Sequence, residues 1–333
     1  MPGIAILMML VATAVGQGEM NAQGQPTRFE FQESPLLDLH MHVRQQLEAG
    51  AKDEELPGLE AACAAAREVE KTLGDPLRWG LIEPMFTECA TAEELVKAIS
   101  ELPGAMQLRD GSFIGLRAPA LAYAEALAAV EPQFLEKLWP QRLEAIREGK
   151  ERLQKRFAGR EAECVAHLVE SLGMQDPGAA VTVYLVCDVP PPQGFTHRIR
   201  GGAICIISVQ EEDESLLAEM LLHELIHALD LATSRQGSAL VLLRERLADQ
   251  GFDESSRAWR DVPHTLMFVQ AAATVRAVLD PEHKPYGEVR GYYAKVPDAY
   301  RAVHAPWEDW LAGRLSREEA LGRILAEATK GGQ

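Results

Sequence analysis

The sequence lacks three features, each of which would point to a particular class of protein. No apolar run reaches the roughly 18 to 20 residues that a membrane-spanning helix needs. Basic residues are scarce, with 33 Lys and Arg against 50 Asp and Glu, and the net charge of −17 argues against binding to nucleic acid or to an anionic membrane. No CxxC pair occurs, so a thiolate zinc site or a dithiol redox motif has no support.

The first 24 residues differ in character from the rest of the chain. Ile4 to Val15 is a short apolar segment, and two small-residue sites follow, Ala14-Val15-Gly16 and Ala22-Gln23-Gly24. This order is typical of a cleaved secretory signal peptide, although no Lys or Arg precedes the apolar segment. We therefore expect residues 1–24 to be a signal peptide, removed when the protein is exported to the periplasm or secreted. The alternative is a buried N-terminal helix.

Export would place the cysteines in an oxidising compartment. The five cysteines are Cys63, Cys89, Cys164, Cys187 and Cys205. Some of them could then form disulfides, and an odd number leaves at least one free. The alternative is that all five are small buried apolar residues.

Two regions are expected after the signal peptide. Residues 25–178 show helical periodicity, whereas the character of the sequence changes at the start of residues 179–333. There, Val181–Val189 and Ala203–Val209 have the continuous apolar and β-branched composition of buried strands. A long apolar helix follows from about Ser215 to Ala232, and the remainder is helical again. The sequence therefore predicts a predominantly helical α+β fold, with a small β-sheet preceding one apolar helix, in which the two regions can pack as one unit.

That apolar helix contains the motif LLHELIHALD. His223 and His227 lie one helical turn apart, so both imidazoles face the same side and can hold one tetrahedral Zn²⁺. Glu224 lies about 100° round the helix from His223, beside the metal's open position rather than on it. Zinc activates water near neutral pH, and a neighbouring carboxylate can accept the released proton. The motif predicts two metal ligands and Glu224 as the general base; the alternative is a pair of structural histidines with hydrogen-bonded partners.

Two histidines need a third ligand to complete the protein's part of a catalytic zinc site. The metzincin pattern is excluded, because it needs Gly at position 230 and His at 233, where this chain has Asp230 and Thr233. His264 is the preferred third ligand, since it is a metal-capable residue at the start of an otherwise apolar helix. Glu245 is an alternative, but Arg244–Asp249 also has the charge pattern of an ordinary solvated helix face. Glu254 and His283 are less favoured candidates for the same role.

On these motifs the chain resembles the zincin metallopeptidases, in which HExxH follows a β-strand on the active-site helix. More narrowly, it is similar to a group of poorly characterised exported bacterial proteins with a zinc-protease core. The resemblance covers roughly residues 117 to 328. The matching segments are Glu136–Pro140 (EKLWP), the strand pair within Val181–Val209, His223–His227, His264–Phe268 and Trp307–Gly313. It implies a zincin-like fold and hydrolysis of a peptide or protein substrate with one catalytic Zn²⁺, and it implies no particular substrate.

A zincin-like fold leads to two further expectations. The strand Ala203–Val209 would be the edge strand that borders the cleft, where a peptide can add by main-chain pairing. A hydrogen-bond donor must also stabilise the oxyanion. The candidates follow the helix of His264 and are Tyr286, Arg290, Tyr292, Tyr293 and His304, with Tyr292 and Tyr293 preferred by residue type.

Two other functions compete with peptide hydrolysis. The segment DLHMH, Asp38–His42, is similar to the HxH of metal-dependent amidohydrolases. On a helix, however, His40 and His42 would point about 200° apart, and the chain lacks the alternating strands and helices of a barrel. The stronger competitor is a zincin-like protein that binds zinc without cleaving peptides and acts as a binding module. The intact Glu224 argues against it, because a pure binder has no need of that carboxylate.

Overall fold

The structure is a computed structural model. It describes residues 28–49, 56–108, 111–176, 178–189, 193–199, 202–232 and 237–330. The predicted signal peptide, residues 1–24, lies outside the described residues. The strands are β1 (Phe29–Gln32), β2 (Met106–Gln107), β3 (Phe113–Ile114), β4 (Val181–Val186), β5 (Gly194–Ile199) and β6 (Gly202–Ser208). The helices of the first half are α1 (Pro35–Ala49), α2 (Leu59–Leu73), a 3₁₀ helix (Pro76–Leu81), α3 (Glu83–Glu88), α4 (Ala92–Ser100), α5 (Arg117–Lys137), α6 (Trp139–Phe157) and α7 (Glu161–Leu172). Those of the second half are α8 (Glu214–Ala232), α9 (Ala239–Asp249), α10 (Arg257–Thr274) with a π-helical turn (Val275–Leu279), α11 (Tyr286–Val289), α12 (Tyr292–Lys295), α13 (Pro297–Leu311) and α14 (Arg317–Ala328).

Four strands form one mixed sheet in the order β1-β4-β6-β5. β1, β4 and β6 are parallel, whereas β5 runs antiparallel to β6 and pairs Thr196 with Cys205. β2 and β3 form a separate antiparallel pair. The predicted α+β class, predominantly helical with a small sheet ahead of the apolar helix α8, is confirmed. The region 25–178 is less purely helical than its periodicity suggests, because it contributes β1 to the main sheet.

The position of β6 corrects one expectation from the sequence. Ala203–Val209 was expected to be the edge strand, but β6 lies between β4 and β5 inside the sheet. The edge strand next to α8 is β5, whose sequence GFTHRI carries polar side chains and lacks the continuous apolar pattern of a buried strand. The apolar run of β6 reflects burial on both faces, which is the composition that such strands require.

Each face of the sheet is covered by its own apolar core. On one face, Cys205 and Ile207 of β6 pack in a core that includes residues of α6, α7, α8 and α10. On the other face, Ile206 packs with α1, α2, α4 and α5. Because side chains alternate along a strand, β6 fastens both groups of helices to one sheet. All five cysteines are free, and all but the half-buried Cys89 are buried.

A buried polar network lies on the α1 face of β5. Glu83 of α3 is almost fully buried and accepts hydrogen bonds from Arg44 and from Nε2 of His40, the latter at 3.1 Å. The other carboxylate oxygen of Glu83 lies 2.5 Å from Nε2 of His197 on β5, and His40 contacts Tyr123 at 2.9 Å. Burial raises the pKa of Glu83, but Arg44 and the two imidazoles outweigh it and hold that pKa well below its usual range. The network therefore ties the edge strand to the first half of the chain.

His42, the second histidine of DLHMH, belongs to a different group of polar residues. Its Nδ1 lies 2.9 Å from Asp188, which follows β4. Arg142 of α6 bridges Asp188 and Asp38, and Asp38 also accepts a hydrogen bond from the backbone N–H of Cys187 at 2.7 Å. His40 and His42 thus contact separate carboxylates, as their divergent directions on a helix require.

One helix of the described chain, Arg257–Leu279, is long and apolar enough to cross a membrane by length and composition alone. However, 78% of its most apolar window is buried inside the protein. It comprises α10 and the π-helical turn, packs against α8 and α13, and brings His264 to the motif on α8. Its apolar character is therefore explained by its place in the core.

Candidate metal centre

Three histidines from two helices converge in the second half of the chain. His223 and His227 lie one turn apart on α8, and His264 lies on α10, which packs against α8. Nε2 of His223 is 3.2 Å from Nε2 of His227 and 3.2 Å from Nε2 of His264. All three donor atoms lie within 4.8 Å of one another, and the group could hold a metal ion.

Hydrogen bonds between the imidazoles do not account for this arrangement. A neutral imidazole nitrogen carries either one proton or one lone pair in the ring plane, so Nε2 of His223 can form one hydrogen bond with another imidazole. It nevertheless makes two contacts at 3.2 Å. A positive ion between the three nitrogens would satisfy all three lone pairs, whereas an empty group leaves at least one buried contact between polar atoms unpaired.

The environment keeps all three histidines in the neutral form that binds metals. Burial lowers the pKa of His223 well below its usual value, and the neighbouring imidazoles lower it further. Burial, together with the positive charge of Arg244, lowers the pKa of His227 to about 4. Burial, His227 and Arg244 lower the pKa of His264 to about 3. No proton needs to be displaced from these side chains near neutral pH.

Two side chains hold the imidazoles in place. Nδ1 of His264 lies 3.0 Å from the hydroxyl of Tyr292, so a His264 that presents Nε2 to a metal donates its Nδ1–H to Tyr292. Phe268, one turn after His264, stacks on the ring of His223 with a centroid distance of 3.9 Å. Nδ1 of His223 is buried without a hydrogen-bond partner among the described residues, so packing against Phe268 orients this ring.

The remaining candidates for the third ligand lie outside the group of three. Glu245 on α9 and Glu254 are exposed. His283 is buried, and its Nε2 lies 2.6 Å from the carboxylate of Glu219. Glu219 lies on α8, one turn before His223. Among the described residues, the group whose ligand atoms converge consists of His223, His227 and His264 alone.

Glu224, the residue after His223 on α8, is buried and is not one of the converging donors. It is 2% exposed and faces β5, where the hydroxyl of Thr196 lies 2.7 Å from Oε2 and 2.9 Å from the backbone oxygen of Glu224. Burial raises the pKa of Glu224 to about 7, although the hydrogen bond from Thr196 opposes the shift. The backbone of Gly194 packs against the same carboxylate, since a Cβ at this position would lie 2.9 Å from Oε1. Sequence reasoning missed both β5 residues, because the strand itself was not recognised.

The five candidates for an oxyanion donor have different surroundings. Tyr292 is engaged with His264, and Tyr293 is buried and stacks on Tyr300 at 4.0 Å. Arg290 pairs with Glu211. The hydroxyl of Tyr286 donates to the side chain of Gln193 at 3.2 Å, directly before Gly194. The last candidate, His304, lies beside Tyr300.

Comparison of the chain with protein-family models, curated proteins and solved structures found no match. The basis for a function is therefore the chemistry of the site, namely three neutral imidazoles and a buried carboxylate on the residue that follows His223.

Proposed function

We propose that this protein is a zinc-dependent peptidase in which His223, His227 and His264 hold one Zn²⁺ and Glu224 is the general base. The observation that carries the proposal is the convergence of three imidazole nitrogens, together with a buried carboxylate on the residue that directly follows His223. Catalytic zinc sites combine three protein ligands with one open position, and this arrangement supplies that number.

The spacing of the donor atoms fits zinc. Bonds of about 2.0–2.1 Å at tetrahedral angles place two ligand nitrogens about 3.3–3.4 Å apart. The two Nε2–Nε2 distances of 3.2 Å are close to this value. Three imidazoles also suit zinc better than magnesium or calcium, which prefer oxygen ligands. The hydrogen bond from His264 to Tyr292 is the kind of support that fixes the tautomer of a metal-bound histidine.

The chain's own groups then divide the work of hydrolysis. When bound, zinc supplies Lewis acidity towards a carbonyl oxygen and lowers the pKa of water. Glu224 accepts the proton of the attacking water and passes it to the leaving amine. Burial shifts the pKa of Glu224 upwards, towards the operating pH, where a general base works best. Thr196 and Gly194 fix the direction of the carboxylate from the β5 side.

β5 supports a binding mode for the peptide. It is one of the two edge strands of the sheet, and its Thr196 contacts the proposed general base. A peptide that adds to its outer edge by main-chain hydrogen bonds would run past Glu224. Of the five oxyanion candidates, Tyr286 is the one held next to the start of β5, by its bond to Gln193, and we assign that role to it.

The first test combines metal analysis with a peptide-library assay. Purified protein should contain about one zinc per chain and should cleave peptides in a reaction that a chelator abolishes. Glu224→Gln should retain zinc and lose at least about 10²-fold in turnover, the usual contribution of a general base. Glu245→Gln, which changes an exposed carboxylate on α9, is the matched control and should leave turnover unchanged.

Two outcomes would contradict parts of the proposal. A wild-type protein that holds zinc and cleaves no peptide would favour a zincin-like binding module without peptidase activity. Full zinc occupancy in His264→Ala would exclude His264 as a ligand.

A further inference from the structure

Among the described residues, the candidate metal centre is accessible at two of its three histidines. His223 and Glu224 are buried, whereas His227 and His264 are each partly exposed. Solvent therefore reaches the group over these two imidazoles. A substrate that reaches the ion must pass the side chains that surround His227 and His264 on this open side.

A positive charge is fixed at the open side. Asp230 lies one turn beyond His227 on α8, and it accepts a hydrogen bond from Nη1 of Arg244 on α9 at 2.7 Å. Arg244 is thereby held at the helix turn that follows His227. Its side chain is 28% exposed. Among the described residues Asp230 is the one acceptor of its hydrogen bonds, and the guanidinium is partly exposed.

This arrangement differs from the ordinary helix-surface ion pairs that the sequence suggests for Arg244–Asp249. Arg244 pairs across to α8, at the end of the metal-binding motif. A cation next to a divalent metal ion weakens metal binding by repulsion, and Asp230 offsets this by neutralising part of the charge. The pair also restrains the guanidinium, so less conformational freedom is lost when it binds a ligand.

We infer that Arg244 determines specificity by binding a carboxylate of the peptide substrate close to the bond that is cleaved. The guanidinium matches a carboxylate in shape and charge and can form charge-assisted hydrogen bonds with it. The carboxylate is either the side chain of an Asp or Glu residue or the C-terminus of the peptide. This inference rests on the proposed peptidase function and names the class of substrate for the same site.

The test compares three peptide series that share one core sequence. The first is amidated and free of acidic residues, the second carries internal Glu at successive positions, and the third has a free C-terminus. We expect wild-type kcat/KM to be about 10- to 100-fold higher for one carboxylate-bearing series than for the neutral one, the range of a charge-assisted hydrogen bond. The series that gains identifies the source of the carboxylate.

The variant Arg244→Gln should abolish this preference while retaining cleavage of the neutral series and the zinc content. Arg244→Lys, which keeps the charge and loses the planar fork, should retain part of the preference. Arg246→Gln is the matched control, because Arg246 lies two residues further along α9 with a similar side-chain exposure of 27% and pairs with Glu318 of α14 instead. It should behave as the wild type does.

The outcomes separate this inference from the proposed function. Cleavage of all three series with equal kcat/KM, or a preference that survives Arg244→Gln, would overturn the role of Arg244 and leave the peptidase intact. If no series is cleaved, calorimetric binding of N-acetyl-glutamate and of an acetylated dipeptide to the zinc-loaded protein still tests the carboxylate site. Binding that is lost in Arg244→Gln and kept in Arg246→Gln supports it, and the absence of binding to the wild type refutes it.

Discussion

A single methyl group at Gly194 tests how the proposed general base, Glu224, is held. The Cβ of an alanine there would lie 2.9 Å from both Cγ and Oε1 of Glu224, well inside the usual contact distance of about 3.5–4.0 Å. The carboxylate or the strand must therefore move by roughly 0.5–1 Å. Glu224 has little room to do so, because it is buried and hydrogen-bonded to Thr196 at 2.7 Å.

Two effects of Gly194→Ala can be estimated from this contact. Overpacking of a buried site costs about 1–3 kcal/mol of folding free energy. A displacement of about 1 Å in a reacting group lowers turnover on the order of 10²-fold. The zinc content should stay near one per chain, since the nearest atoms to the new methyl group all belong to Glu224 and not to the three histidines. Peptide cleavage, zinc analysis and urea unfolding measure the three quantities on one protein preparation.

Gly202→Ala is the matched control. Gly202 lies in β6, at the far end of the same strand pair, opposite Ile199. Neither glycine has a positive φ, and a Cβ at Gly202 meets no atom within 4 Å. The control should match the wild type in turnover, and its stability should change by less than about 0.5 kcal/mol. If Gly194→Ala turns over as fast as the wild type, the backbone of Gly194 does not fix the position of Glu224. If the variant loses zinc, the substitution also disturbs the three histidines, and the argument that it affects Glu224 alone is wrong.

Three further predictions concern the support of the site and the buried polar network. Tyr292→Phe removes the partner of His264 Nδ1 and should weaken zinc binding about 10- to 100-fold in competition with a chelating dye; an unchanged Kd would contradict it. Glu83→Ala leaves Arg44 buried without its carboxylate and should lower the unfolding free energy by about 3–5 kcal/mol in urea, and a loss below about 1 kcal/mol would count against the network. Burial lowers the pKa of His40 despite the opposing influence of Glu83, so the unfolded chain takes up the proton first as the pH falls below about 6.5. The unfolding free energy should then decrease by up to about 1.4 kcal/mol per pH unit because of this residue. In urea unfolding at several pH values, His40→Gln should show a shallower pH dependence of the unfolding free energy than the wild type, and an equal dependence would refute this.

The parts of the site that the sequence predicts are those with a fixed local period. His223 and His227 share a helix face whatever the tertiary structure, so their convergence follows from spacing alone. His264 was preferred as third ligand because a metal-capable residue stands at the start of an apolar segment, and the structure brings it to 3.2 Å from His223. The strands β4 and β6 were predicted because burial on both faces produces a continuous apolar run.

The parts that the sequence does not predict depend on tertiary contacts. β5 carries Thr196, His197 and Arg198, and no apolar alternation distinguishes it from a loop. Tyr292 was considered as an oxyanion donor, whereas its hydroxyl contacts His264. The charges around Arg244 looked like a solvated face because the partner, Asp230, lies 14 residues away on another helix. The spacing of residues along a sequence indicates which side chains are neighbours on one helix, but not which side chains pair between two helices.

β5 links the two halves of the chain at the site itself. On one face of the strand, Thr196 contacts Glu224; on the other face, His197 contacts Glu83, which belongs to the helices before residue 178. Those helices also cover Ile206 of β6, so a fragment starting at residue 179 would expose an apolar sheet face and release β5 from one of its anchors. The boundary predicted near 178 separates two kinds of secondary structure, but the strand that orients the proposed general base depends on side chains from both sides of it.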